Sequence, residues 1–184
     1  MGNTQWIQLT GMFASGAFLA AVLWSISVPQ RRLWPPQKST FLNQALIWVL
    51  TTMALGSMFW LGLHDWNSLG WPAKLRWGLG LPLVIIGNIV VIHSIIYLGY
   101  KTTSGAKTTL KGDGFYRYSR NPQYTADLIL FTGWGVLSAS ADAMPVIILT
   151  LVTLFMAPFS EEPWLRKMYG KPYEDYCGKV RRFL

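Results

Sequence analysis

WGLGLPLVIIGNIVVIHSIIYL, residues 77–98, runs for 22 positions without a Lys, Arg, Asp or Glu. Crossing ~30 Å of hydrocarbon takes about 20 apolar residues at 1.5 Å per residue in a helix. The stretch therefore reads as a membrane span, because an aqueous core of this size does not need so long an apolar block. Trp6–Val28 and Phe41–Leu63 meet the same length with no charged residue inside. Thr125–Ser138 and Ala143–Phe159 are shorter apolar runs separated by Ala139–Asp142, and read as a tight hairpin of two short or tilted spans. The expectation is an all-α integral membrane protein of about five transmembrane helices in one domain, residues 1–184. Only 13% of the residues are charged, about half the share in soluble chains, which agrees with this class.

The net charge of +8 is mostly topological. With the N-terminus outside, five spans leave three segments inside: Pro29–Thr40, Gly99–Tyr124 and Ser160–Leu184. These hold 14 of the 16 basic residues, leaving Lys74 and Arg76 outside. Such asymmetry predicts N-terminus out and C-terminus in the cytoplasm, with anionic headgroups against the inner surface. No nucleic-acid partner is needed to explain it, and no obligate protein partner is inferred. Trp and Tyr at the ends of the runs, such as Trp60, Trp66, Trp77 and Tyr97, suit the membrane–water boundary. The first run lacks the basic flank and cleavage site of a signal peptide. Cys177 is the single cysteine, so no disulfide forms within the chain. His64 and His93 fall on opposite sides of the bilayer, which excludes a two-His metal site, and no metal is expected.

Two polar segments share the cytoplasmic side and carry the chemistry. The first is Gly112-Asp113-Gly114-Phe115-Tyr116-Arg117-Tyr118-Ser119-Arg120-Asn121-Pro122-Gln123-Tyr124. Asn121 suits a helix N-cap and Pro122 the first helical position. Free N–H groups beside Arg120 suit a carboxylate or phosphate. The alternative is an interface loop anchored by Tyr and Arg. The second segment begins at Glu161-Glu162-Pro163 and continues through Tyr169-Gly170, Tyr173 and Tyr176. The adjacent carboxylates read either as a charge pair opening a helix or as ligands for the hydroxyls or amine of a cofactor. His93 in the third span and Asp127 in the fourth are candidate substrate contacts, Asp127 alternatively pairing with an Arg.

These motifs, Arg120-Asn121-Pro122-Gln123-Tyr124 with Gly114-Phe115-Tyr116 ahead and Glu161-Glu162…Tyr169-Gly170…Tyr173…Tyr176 behind, resemble the isoprenylcysteine carboxyl methyltransferase family. That family is related to the membrane phospholipid methyltransferases. The resemblance covers about residues 95–184 and implies S-adenosylmethionine as methyl donor in a cytoplasmic-face pocket. It also implies cofactor contacts from Thr108, Thr109, Leu110, Lys111, Tyr116 and Asn121, Pro122, Gln123 and Tyr124, with Glu161 closing the pocket. Arg120 and Glu161 are the residues assigned to the chemistry. Asn121 replaces the family's usual His, and Ala157 stands where the prenylcysteine enzymes carry an Arg tied to the substrate carboxylate. The acceptor is then a lipid or small lipophilic molecule, entering between the third, fourth and fifth spans, with residues 1–76 as support. The alternatives are an NADPH-dependent reductase of the sterol or steroid type, which shares an Arg-x-Pro-x-Tyr ending, and a non-catalytic membrane protein that keeps the fold.

Overall fold

A computed structural model describes residues 2–37, 40–98, 110 and 112–184, all of them helical or in connections, with no strand. The helices are α1 (Asn3–Ser27), α2 (Phe41–His64), α3 (Leu81–Leu98), α4 (Pro122–Ser138), α5 (Met144–Tyr169) and α6 (Lys171–Lys179). A short turn, Ala73–Leu75, and a π-helical turn, Arg76–Gly80, lead into α3. α1, α2, α5 and the helix from Ala73 to Tyr97 are long and apolar enough to cross a membrane. The remaining expected span, α4, has 17 residues, about 25 Å at 1.5 Å per residue. Helices satisfy their own backbone polar groups, which is why an apolar chain in lipid takes this form. Large side chains such as Phe13, Phe41, Leu42, Ile89 and Ile96 point outward, as a lipid-facing surface requires.

The core lies where α2, α4 and α5 meet, around Met58, Leu61, Phe131, Trp134, Val146 and Ile147. α3 packs along α4, and α1 packs against both α2 and α5. Glycines bring the α3 and α4 backbones together. A Cβ on Gly87 would lie 2.7 Å from the Leu130 nitrogen, and one on Gly133 would lie 2.7 Å from the Val84 nitrogen. Small residues at helix crossings gain van der Waals contact that lipid tails do not replace.

One pole of the bundle is closed by a polar clasp. Asp65 Oδ2 accepts from Ser68 Oγ (2.6 Å), Ser140 Oγ (2.9 Å) and the Asp142 nitrogen (3.0 Å). Arg76 Nε donates to the Leu137 carbonyl at 2.9 Å, and its guanidinium lies 4.6 Å from the Trp66 ring centroid. The clasp ties the loop after α2 to the α4–α5 turn and fixes the ends of three helices.

The boundary after Phe159 is corrected by the structure. α5 continues to Tyr169 with Pro158 and Pro163 inside it, so Glu161 and Glu162 sit within a helix and do not open one. The capping role given to Asn121 is also corrected. Asn121 occupies the N-cap position and Pro122 the first turn of α4, but the Asn121 side chain makes no capping bond. Its amide donates to the Arg182 carbonyl at 3.1 Å instead, because the C-terminal segment runs alongside. Arg120 N donates to Arg181 O at 2.8 Å, next to a single Ser119–Arg181 bridge.

Candidate functional site

A cavity of about 370 Å³ lies at the pole opposite the Asp65 clasp. Its wall is built from five parts: α1 and α2 with the connection between them, the stretch before α4, the start of α4, the second half of α5, and α6. Its lining includes the apolar side chains of Phe18, Ile47, Leu154 and Ala157, with Thr51 and Thr153 among them. It also includes Arg120, Glu161 and five tyrosines, Tyr116, Tyr124, Tyr169, Tyr173 and Tyr176. Trp34, Trp48 and Trp164 add further ring surface. An apolar pocket with a few convergent polar groups is the form small-molecule sites take.

Glu161 is the carboxylate that faces this space. Its Oε1 accepts from Trp34 Nε1 at 3.0 Å and from the Tyr124 hydroxyl. Among the described residues it forms no ion pair. Glu162, one position on, is turned away and buried at 3% exposure. Arg182 grips it with Nε and Nη2, both at 2.8 Å, and Arg120 Nη2 lies 3.2 Å from Oε1. Two guanidinium groups thus share one carboxylate, leaving a net positive charge at the rim. The Glu162 contact raises the Arg182 pKa above its ordinary value, against a smaller opposing effect of burial. Arg120 Nε is buried and has no hydrogen-bond partner among the described residues.

Tyr116 and Tyr176 keep their protons. Burial raises Tyr116 well above the usual phenol value, with the Tyr176 and Glu161 charges adding to it. Tyr176 is pushed up to about 12 by burial, although Arg120 opposes the shift. Its hydroxyl donates to the Tyr116 carbonyl at 2.6 Å. The rings therefore present neutral faces, the state that attracts a cation through the quadrupole.

The expected site residues divide into three groups. Leu110, Tyr116, Arg120, Asn121, Gln123, Tyr124 and Glu161 all line the cavity. Thr108, Thr109 and Lys111 lie outside the described residues. Pro122, His93 and Asp127 are not among the residues that line it. Pro122 is buried in the first turn of α4. His93 packs edge-on against Phe115, with ring centroids 4.7 Å apart. Asp127 has no ion pair among the described residues, so the expected Arg partner is not found there.

Among the described residues, none of α3 lines the cavity. Residues assigned to support instead supply wall: Phe18, Trp34, Pro35, Pro36, Gln44, Ile47, Trp48 and Thr51. Trp34 in particular escaped the sequence, because it meets Glu161 across 127 positions. The one local signal was the polar, Pro-containing connection in which it sits.

Comparison with known proteins points the same way. A probable protein-S-isoprenylcysteine O-methyltransferase of Oryza sativa subsp. indica is 29% identical over 110 residues, covering 55% of this chain and 57% of that protein. A phosphatidylethanolamine N-methyltransferase of Homo sapiens is 27% identical over 115 residues, covering 56% and 54%. A steroid 5-alpha-reductase of Solanum lycopersicum is 24% identical over 111 residues, covering 60% and 43%. The chain spans about half the length of the curated relatives it matches. No solved structure matches it significantly. The phospholipid methyltransferase family matches residues 75–172, from the approach to α3 through Arg120, Tyr124 and Glu161 to the first turn of α6. Because that match takes in more than half of the chain, the protein belongs to the phospholipid methyltransferase family.

Proposed function

We propose that this protein is an integral membrane methyltransferase that uses S-adenosylmethionine and methylates a lipid or small lipophilic acceptor. The observation that carries the reading is the cavity itself. It brings a carboxylate without an ion pair among the described residues, a guanidinium with an unpartnered donor, tyrosine rings and apolar side chains into one wall. In topology the chain has five spans, with α4 as the short one. The N-terminus lies outside and the cavity faces the cytoplasm, in keeping with the basic bias of the segments around it.

The donor set fits the cofactor. Arg120 Nε is an orphaned donor suited to the methionine carboxylate, and Glu161 Oε2 is suited to the ammonium or the ribose hydroxyls. The tyrosine faces suit a sulfonium cation. S-adenosylmethionine, when bound, supplies a methyl group activated by that positive sulfur.

The side chains then bind, orient and exclude water. Arg120, held by Glu162, fixes one end of the bound molecule. Glu161, held by Tyr124 and Trp34, fixes the other. Displacement at a methyl carbon demands alignment and a dry pocket more than a strong base, and the aromatic wall provides both. The apolar side chains of the wall, such as Phe18, Ile47, Leu154 and Ala157, take the hydrocarbon part of the acceptor. With alanine at position 157 and Arg120 given to the methionine carboxylate, a carboxylate acceptor finds no further cation in the described wall. This favours an acceptor whose reacting group is not a carboxylate.

Similarity to the Solanum lycopersicum steroid reductase supports a second reading, a reductase using NADPH in the same cavity. Calorimetry in detergent with S-adenosylhomocysteine and NADPH separates the two. Binding of S-adenosylhomocysteine alone is expected, and binding of NADPH alone would overturn the methyltransferase reading.

A further inference from the structure

We propose that Trp34 is a positioning residue for Glu161, so that the connection between α1 and α2 sets the carboxylate on which ligand binding depends. The proposal rests on the methyltransferase reading of the cavity and adds to it a residue outside the family-matched span of residues 75–172. Trp34 Nε1 donates to Glu161 Oε1 at 3.0 Å, and the Tyr124 hydroxyl donates to the same oxygen. The two donors come from different elements, the α1–α2 connection and α4. Together they fix the carboxylate's rotation about its own axis and leave Oε2 to a ligand.

The connection does not need this bond for its own conformation. Ser25 Oγ, on α1, accepts from the backbone nitrogens of both Leu33 and Trp34 at 2.9 Å. Arg32 Nε donates to the Pro35 carbonyl at 2.8 Å, and its guanidinium sits 5.4 Å from the Trp164 ring centroid. Phe18 packs edge-on against the Trp34 ring, with centroids 5.1 Å apart. Backbone, ring and neighbouring cation are therefore all secured by other contacts. The indole N–H is the one polar group of Trp34 that is spent on the cavity.

A buried hydrogen bond that is lost leaves its partner unsatisfied, so its loss is measurable. Trp34→Phe keeps an aromatic ring beside Phe18 and removes the N–H together with part of the indole. It is expected to weaken S-adenosylhomocysteine binding by about tenfold, and the comparison between backgrounds separates the lost N–H from the lost packing. In a Glu161→Gln background, where binding is already weaker, Trp34→Phe is expected to change it by less than about twofold. A purely structural role would lower affinity by the same factor in both backgrounds.

A second readout needs no ligand. The indole ¹⁵N–¹H resonance that disappears in Trp34→Phe is expected to shift in Glu161→Gln. Equal effects in the two backgrounds, or an unmoved resonance, would overturn the proposal while leaving the methyltransferase reading intact. Absence of S-adenosylhomocysteine binding to the unmodified protein would overturn that reading, while the resonance would still report whether Trp34 holds Glu161.

Discussion

Glu161 and Glu162 are neighbours in sequence, but a helix turns by about 100° per residue, so their fates differ. One faces the cavity, and the other is buried under Arg120 and Arg182. Removing one side of a buried ion pair leaves an uncompensated charge that costs ~3–5 kcal/mol. Glu162→Ala is therefore expected to lower the thermal midpoint in detergent clearly, and to weaken ligand binding through the freed Arg120. Glu161→Gln is expected to behave in the opposite way: the midpoint holds while S-adenosylhomocysteine affinity falls by about tenfold or more, since charge-assisted hydrogen bonds are lost. A fall in midpoint for both would assign both carboxylates to folding. The residues alone placed the pair beside a site without choosing between its members, and the family resemblance pointed to Glu161; Glu162's partners could not be read, because Arg182 meets it 20 positions away. Trp34 was beyond reach for the same reason. Its partner is 127 positions away, and no local pattern encodes such a meeting.

At the scale of elements, the long spans were legible because an uninterrupted apolar run has few other ways to fold. The start of α4 was legible from Asn121-Pro122, although the Asn121 side chain bonds to the C-terminal segment and makes no cap. The extent of α5 was not legible, since Pro158 and Pro163 resemble a stop and only tertiary contacts carry the helix through. Nor did the apolar pattern reveal which helices touch. The α3–α4 crossing depends on Gly87 and Gly133 meeting opposing backbone. Gly87→Leu is expected to force the helices apart at a cost of ~1–3 kcal/mol or more, read as a lower thermal midpoint. Leucine at Gly56, where an added Cβ meets nothing within 4 Å, is the control expected to leave it unchanged.

The clasp at the far pole gives a pH signature. Burial works to raise the Asp65 pKa, but hydrogen bonds from Ser68, Ser140 and the Asp142 and Ala141 backbone outweigh it and hold the carboxyl below 3.8. A depressed folded value means the stabilisation is fully present above 3.8 and is lost as pH falls through the lower folded value. Unmodified protein and Asp65→Asn are thus expected to differ most in thermal midpoint near neutral pH and to converge in strong acid. A constant gap across that window would count against the clasp.

Over the whole molecule, the two poles do different work. The clasp pole ties helix ends together, and the opposite pole holds the cavity, where residues from both the N-terminal and the family-matched parts converge. Function was legible at the level of family because Arg120–Tyr124 and Glu161–Glu162 lie inside the matched span. The division of labour was not, because Phe18, Trp34 and Trp48 enter the wall only through the packing of α1 and α2 against the rest. The central claim is that this cavity binds the methyl donor. The most direct test is calorimetric titration of the purified protein in detergent with S-adenosylhomocysteine, alongside Glu161→Ala and Tyr124→Ala. Saturable binding to the unmodified protein, lost in both variants while their thermal midpoints hold, is the expected result. Undiminished affinity in both variants, or binding of NADPH in place of S-adenosylhomocysteine, would contradict it.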